Sequence, residues 1–572
     1  MNHRSQALFA AITLALLALA SCGGGRGDAP ADIYPTPQSP VAKSGKLIDF
    51  LLFPNPLKQD DGLAQTNTLA YAQAYYAAID PRNERTTLAD WKRKNKFDLV
   101  ASNVIQSTAV FGDVRDLGYG RRMTARRNTD DGTIAFLVEN YAVDIGGGGY
   151  GSSLNLDAAV VQDQRWKDNV NAIEVSVGQS AGGGPDGTVK FAKFFSFDPV
   201  TGARRLEQDI DGRGPKALPG LCISCHGGRA DALEPRDPVT GRAAFPLLNN
   251  SEPQQRGDTR GKLHVFEVDT FTYSTKPGFT RSEQQDALKV MNEIVLCTYP
   301  IVAPRPASPS KNACRPEVGG PANRLNPAKV VEWQGAAAEL IHAAYGGSEL
   351  PDAVYSAPAV PAGWMQRPQD KALYLDVVVP ACRGCHIVRG TGTPLQAQSE
   401  IDLTTFAKFD SYADRSKIHV FDRGNMPLAK IVFDRFWSTG MAEKLAAYLD
   451  AKGPAFAPAR DAAGHLLKPD LVSPAQGLPS APALFTQVKT VLAADCTGCH
   501  APGGAPLVAF LAADDNLLYE RVRGMVNLTD VDASPLLRKP TGNHHFGGAQ
   551  LDAAGYILFR NWVLNGAPGP LK

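Results

Sequence analysis

The chain is poor in several things at once. Of its 572 residues, nine are cysteine, ten histidine and seven methionine. Residues this scarce become informative where they cluster. Neither charge is in excess: 59 Lys and Arg stand against 58 Asp and Glu, a formal charge of +1. A nucleic-acid binder needs a basic excess to neutralise phosphates, so no nucleic-acid partner is expected. Beyond the N-terminus no run approaches the roughly 20 apolar residues that span a bilayer. The glycine-rich stretches at 146–149 and 181–187 are not followed by the helix and lysine of a phosphate-binding loop, which sets nucleotide binding aside. What is plentiful is glycine and proline, 54 and 42 residues, a composition suited to loop-rich domains folded around bound groups.

Six of the nine cysteines fall into three copies of one pattern: CISCH at 222–226, CRGCH at 382–386 and CTGCH at 496–500. Two thiols at i and i+3 share one side of a helical turn. They can form thioethers to the two vinyl groups of one porphyrin, and the adjacent histidine then lies under the ring. Cys-x-x-Cys-His is the attachment signature of a c-type haem. A zinc site would bring CxxC pairs together and would not need a histidine beside each one. Three covalently bound haem c groups are therefore expected, on Cys222 and Cys225, Cys382 and Cys385, and Cys496 and Cys499. His226, His386 and His500 are the expected iron ligands.

The opposite axial positions are less evenly marked. Forty residues after His386, Met426 stands in the sequence GNMP at 424–427. Its proline stiffens the loop, and a thioether held there suits the far side of a haem and raises its potential. Residues 381–427 resemble a class I cytochrome c domain, in which the CxxCH helix and the Met-Pro loop grip opposite faces of the haem; His419 is the alternative. For haem 3 the candidates are Met525, His544 and His545. The HFGG that follows His544 is similar to a His-x-Gly-Gly turn of some small cytochrome domains, which points to His545. For haem 1 they are His264, Met123, the helical Met291, or no protein ligand. Arg121 and Arg122, beside Met123, are candidate propionate partners. The N-terminal half is similar to a set of exported bacterial cytochrome c-like proteins in which a DLGxGRxM segment, here 116–123, precedes CxxCHGG.

The N-terminus reads as an export signal. Arg4 precedes an apolar run at 7–20 that is short for a membrane span. LASC at 19–22 resembles a bacterial lipobox, which implies cleavage before Cys22 and lipid on it. Several acyl chains, at about 0.8 kcal/mol per buried methylene, anchor durably. The resulting expectation is a protein of the cell envelope, lipid-anchored, at the outer membrane facing periplasm or exterior. Cys297 and Cys314 remain. In an oxidising compartment they are expected to pair, closing a loop worth roughly 3 kcal/mol.

The expected order is a signal peptide at 1–21, a tether at 22–45, an α+β N-terminal domain at 46–210 and a first haem segment docked on it at 211–328. A second cytochrome c-like domain at 329–452, a linker at 453–482 and a third such domain at 483–572 complete it. The fold class is α+β, strand-rich at first and mainly α-helical later. Helices are expected over 63–78, 87–91, 281–296, 328–344, 435–450 and 556–564. Strands are expected over 118–128, 133–141, 172–177, 188–197 and 263–272. Asp130-Asp131-Gly132 supplies a hairpin turn.

Covalent haems with two protein ligands per iron imply electron transfer between redox partner proteins, because no site is left for substrate. The alternative is a haem enzyme similar to the di-haem peroxidases, their methylamine-utilisation relatives and the rubber oxygenases, with an open distal side at haem 1. A third possibility is a sensor whose N-terminal domain captures a ligand.

Overall fold

The protein is described by a computed structural model. It covers residues 67–113, 115–143, 152–182, 185–211, 215–228, 233, 244–245, 255–299, 332–347, 349–356, 360–388, 403, 405–422, 424, 426–462, 464–468, 483–501, 510–523, 525–526, 534–542, 545, 547–564, 567 and 570. The signal segment, Cys22, the tether, Cys314 and His544 lie outside the described residues.

Helix α1 (Leu69–Ile79) opens where the Thr68 side chain accepts from the Tyr71 amide at 3.2 Å. It thus begins six residues later than expected, because a hydroxyl at the N-cap offsets an otherwise unpaired amide. Helix α2 (Leu88–Lys94) begins, as expected, at the Thr87 cap. An antiparallel sheet follows, β1 (Val104–Gly112), β2 (Gly120–Asn128), β3 (Ile134–Tyr141), β4 (Lys167–Gln179) and β5 (Pro185–Phe197), ordered as in the chain. The turn at 130–132 joins β2 to β3 in the register that pairs Met123 with Val138. Strand β1 and helix α3 (Ser152–Val161) were not anticipated from sequence. The mixed α+β class was.

Side chains alternate across a strand, so the sheet has two distinct faces. One carries Phe111, Met123, Phe136, Ile173 and Phe194. The other packs Leu137, Val170, Phe195 and Phe197 against the α1 residues Tyr75 and Tyr76. Beneath α1 and α2 lies a charged network without solvent. Arg85 Nε donates to Glu174 at 2.8 Å, and Lys193 Nζ donates to Ser176 Oγ at 2.6 Å. Burial pushes the Glu174 carboxyl up, but Arg85 and Lys193 outweigh it and hold it at about 2. A carboxylate depressed in the native state stabilises it above its unfolded pKa of about 4.3, and that stability drains as pH falls toward 2. Acid unfolding followed by near-UV circular dichroism should therefore be steep between about pH 4.5 and 2. Glu174→Gln should cost about 3 kcal/mol at neutral pH by removing the two-pronged partner of Arg85, which keeps Asp80 at 3.3 Å, and should flatten that acid limb. An unchanged acid limb in the variant counts against the assignment.

The first CxxCH forms helix α4 (Gly220–His226), followed by α5 (Gln285–Leu296) and α6 (Glu332–Ala344). The strand expected over 263–272 does not form. Its backbone is engaged by a side chain instead: Asn292 Oδ1 accepts from the Phe266 amide and Asn292 Nδ2 donates to the Phe266 carbonyl. Only Thr272 bridges to the sheet, at Gly112. The second segment includes α7 (Arg383–His386), α8 (Lys430–Ser438) and α9 (Met441–Asp450). The single helix expected over 435–450 is two, because Gly440 takes φ +79° between them, a left-handed conformation that glycine adopts at little cost. The third segment includes α10 (Phe485–Val491), α11 (Thr497–His500), α12 (Asp515–Arg523) and α13 (Ala553–Leu564). No described helix is long and apolar enough to cross a membrane.

The segments are not separate beads. Ile387 and Val388 of the second segment share a core with Phe111 and Phe136 of the sheet. Trp562 and Phe559 of α13 belong to a core that also holds Tyr141 and Leu156. Lys539 donates to the Val143 carbonyl oxygen and sits 4.9 Å from the Trp166 ring centroid.

Candidate haem sites

Each CxxCH occupies a short helical turn whose histidine is the last helical residue. In the first, His226 Nδ1 lies 2.8 Å from the Lys262 carbonyl oxygen. A carbonyl only accepts, so the ring donates from Nδ1 and keeps the Nε2 lone pair. Metal-binding histidines are commonly oriented in this way, through a hydrogen bond from the other ring nitrogen. Cys222, Cys225 and His226 line a cavity of about 230 Å³ measured by the centres of water-sized spheres, with Phe111, Phe136 and Phe194 among its walls. One water needs roughly 10–15 Å³ by that measure, so this is a chamber and not a packing gap.

Met123 lines the same chamber from β2. His264 does too, but its Nε2 lies 3.1 Å from the Cys225 carbonyl oxygen, and its ring centroid is 4.7 Å from that of His226 at 58°. Two imidazoles bound across one metal at about 2 Å each place their centroids about 6 Å apart. His264 is therefore posed as a neighbour of the CxxCH turn, which leaves Met123 as the other candidate on the chamber wall. Met291 is fully buried in the core. Arg121 reaches the chamber, but its guanidinium is held by Asp113 at 2.9 Å and Asp116 at 2.6 Å. Burial pushes Asp113 up to about 6, against the pull of Arg121. Arg122 alternates to the other face of β2 and is absent from the chamber wall, which removes it as a propionate partner there.

At the second site Cys382 packs beside a local core containing Trp364, Phe409 and Leu445. Trp364 Nε1 donates to the Leu403 carbonyl at 2.9 Å and so pins the chain that returns toward the Met-Pro loop. Met426 is half-buried; its amide donates to the His419 carbonyl at 3.2 Å. Pro427 is buried and lines the chamber together with Cys385. His419 is itself buried on the turn Lys417–Asp422.

The third site has the most complete geometry. The His500 and His545 rings are 5.9 Å apart between centroids and inclined by only 15°. That separation matches the roughly 6 Å of two imidazoles sharing one metal. His545 Nδ1 donates to the Gly548 carbonyl oxygen at 2.7 Å, again leaving Nε2 as the ligand nitrogen. Gly547 lies close to the ring: a Cβ there would stand 3.3 Å from His545 Cε1, a tight contact. Met525 is buried in the core behind the site.

Three of the motif thiols lie in apolar surroundings. Burial pushes Cys222 and Cys382 up to about 12 and Cys496 to about 11. A thioether at these positions would carry no charge into an apolar wall. Among the described residues no group of three or more His, Cys, Asp or Glu is placed to hold a bare metal ion. A haem iron takes four ligands from its porphyrin and asks only one or two of the protein. These residues fit haem. Cys297 is buried at the end of α5, its sulfur 3.3 Å from the Glu293 carbonyl oxygen.

The sequence did not reveal the two orienting carbonyls, of Lys262 and Gly548. A backbone acceptor leaves no residue-type signal. It also missed the buried Arg383–Glu267 pair, in which Arg383 Nε donates to Glu267 at 2.9 Å. An arginine inside a CxxCH was the available clue. No protein-family model matches this chain, and no curated protein or solved structure matches it either, so a functional reading rests on the sites themselves.

Proposed function

We propose that this chain is an exported, lipid-anchored c-type cytochrome of the cell envelope that carries three covalently bound haems and passes electrons between redox partner proteins. In this reading the N-terminal α+β body is the mount, and cytochrome c-like segments carry haems 2 and 3. Cys222 and Cys225, Cys382 and Cys385, and Cys496 and Cys499 hold the porphyrins, with His226, His386 and His500 beneath them. Met426 and His545 take the far sides of haems 2 and 3, and Met123 that of haem 1. When bound, the haems supply one-electron cycling between ferric and ferrous iron. The chain's part is to hold axial groups in one geometry in both oxidation states and to exclude water. The observation that carries the reading is the His500–His545 pair, near-parallel at 5.9 Å, with His545 turned by a carbonyl.

A second reading, a peroxidase- or oxygenase-like enzyme, draws on the chamber at site 1 and on Asp113 and Arg121 at its edge. The two differ in iron spin state. Intact-mass measurement of mature protein should show three haem additions and lipid on Cys22. The ferric optical and EPR spectra should be wholly low-spin. A mass fitting two haems sinks the three-haem assignment, and a stable high-spin fraction that reacts with peroxide moves the reading to the enzyme.

A further inference from the structure

We propose, resting on the cytochrome reading above, that the first and second CxxCH turns form one junction, so that the haems they would carry lie side by side and exchange electrons directly. The sequence places their attachment motifs 160 residues apart, Cys222 against Cys382, in what read as successive domains. The fold brings them to one space. The chamber that Cys222, Cys225 and His226 line is also lined by Gly384 and Cys385 of the second motif and by Pro427 of the Met-Pro loop.

Three further observations make this a built junction. Cys225 packs against the same apolar cluster as Ala381, which precedes the second motif, and as Leu221, Ala429 and Val432. Arg383, inside the second CxxCH, is buried and ion-paired with Glu267, which follows the chamber-lining segment 263–266. Arg383 also donates to Tyr374 at 3.2 Å. A charge pair buried this deeply is costly to break, so it locks α7 to the wall of site 1. Gly384 faces the N-terminal body: a Cβ there would meet the Arg115 carbonyl oxygen at 3.9 Å, an ordinary packing contact.

The thioether sulfurs are attached at one edge of a porphyrin. With Cys225 and Cys385 lining a single chamber, porphyrins carried on these two turns would be neighbours. With haems held on both turns, one electron would pass from ferrous iron at one motif to ferric iron at the other, with no bond formed or broken and no proton moved. The first electron enters from a redox partner protein. A charge gained on one haem is also felt by the other through a low-dielectric interior, so the two titrate as a coupled pair with potentials that belong to the pair.

The test uses the wild-type holoprotein and has two parts. A pyridine haemochrome assay with intact mass counts the haems, and three per chain supports the underlying reading. EPR is then recorded across a redox titration. In the fully ferric protein the lines of haems 1 and 2 should be broadened by their mutual dipolar coupling. Once whichever is reduced first becomes diamagnetic, the line of the other should sharpen, while the haem 3 line keeps its shape. Three haems with every line indifferent to the oxidation state of the others overturns the pairing and leaves the cytochrome reading standing. A mass without haem on either the first or the second motif overturns that reading and the pairing with it.

Discussion

His545→Ala should turn one of three haems from low-spin to high-spin and leave the other two low-spin. The expectation follows from one geometry. Two imidazoles with centroids 5.9 Å apart and inclined by 15° have the spacing expected of two axial ligands on one metal. Removing one ring opens that axis to water, a weaker ligand, so the iron changes spin. The effect should be complete for that haem and visible by EPR and by a shift in its optical bands. Free imidazole should restore the low-spin spectrum by filling the space the side chain left. Gly547→Val should act in the same direction but partially, because a Cβ there would crowd His545 Cε1 at 3.3 Å and turn the ring. Should His545→Ala leave all three haems low-spin, the far-side ligand of haem 3 lies elsewhere.

Met426→His should lower the potential of haem 2 by on the order of 0.1 V or more, a modest share of the roughly 0.8 V that axial ligands can span. A thioether is a soft, weak donor that favours ferrous iron; imidazole donates more strongly and stabilises ferric iron. A one-electron centre shifts its equilibrium tenfold for every 59 mV, so the change is large against the error of a titration. The weak near-infrared sulfur-to-iron band should vanish with it. Met426 lies in a short loop held by its own amide on the His419 carbonyl and by buried Pro427, so a histidine at this position should be presented to the same point. The wave of haem 3 should stay in place, since its ligands share no residue with this loop. If every wave stays where it was and the band persists, Met426 is not the ligand and the 424–427 loop has been misread.

The candidate attachment turns could be read directly because the chemistry they imply is local. Two thioethers and one imidazole on a single porphyrin demand i, i+3 and i+4 within one turn, whatever surrounds it. The Met-Pro loop is local in the same sense. The Thr87 cap and the turn at 130–132 were legible for similar reasons, since a cap or a tight turn is decided within four residues. Strand β1 escaped notice: a strand is stabilised by partners, and the partner of Val104 is Asn128. The failed strand at 263–272 is the converse case. Its pattern was extended, but its backbone bonds went to the side chain of Asn292, on a helix 26 residues away in sequence from Phe266.

Taken alone, the sequence determined the mixed α+β class, three CxxCH turns, a Met-Pro loop and a short list of far-side candidates, all of which depend on contacts within a few residues. Only the tertiary structure decided which candidates meet. It turned His545 to His500 and set Met525 in the core. It placed Met123 on the chamber wall through the alternation of a strand, and tied His264 to the backbone of Cys225. It also brought Cys225 and Cys385 to one chamber through the Arg383–Glu267 pair, whose members are 116 residues apart. Such contacts arise because burying apolar faces and pairing desolvated charges are properties of the whole packed chain, and no local stretch of sequence carries them.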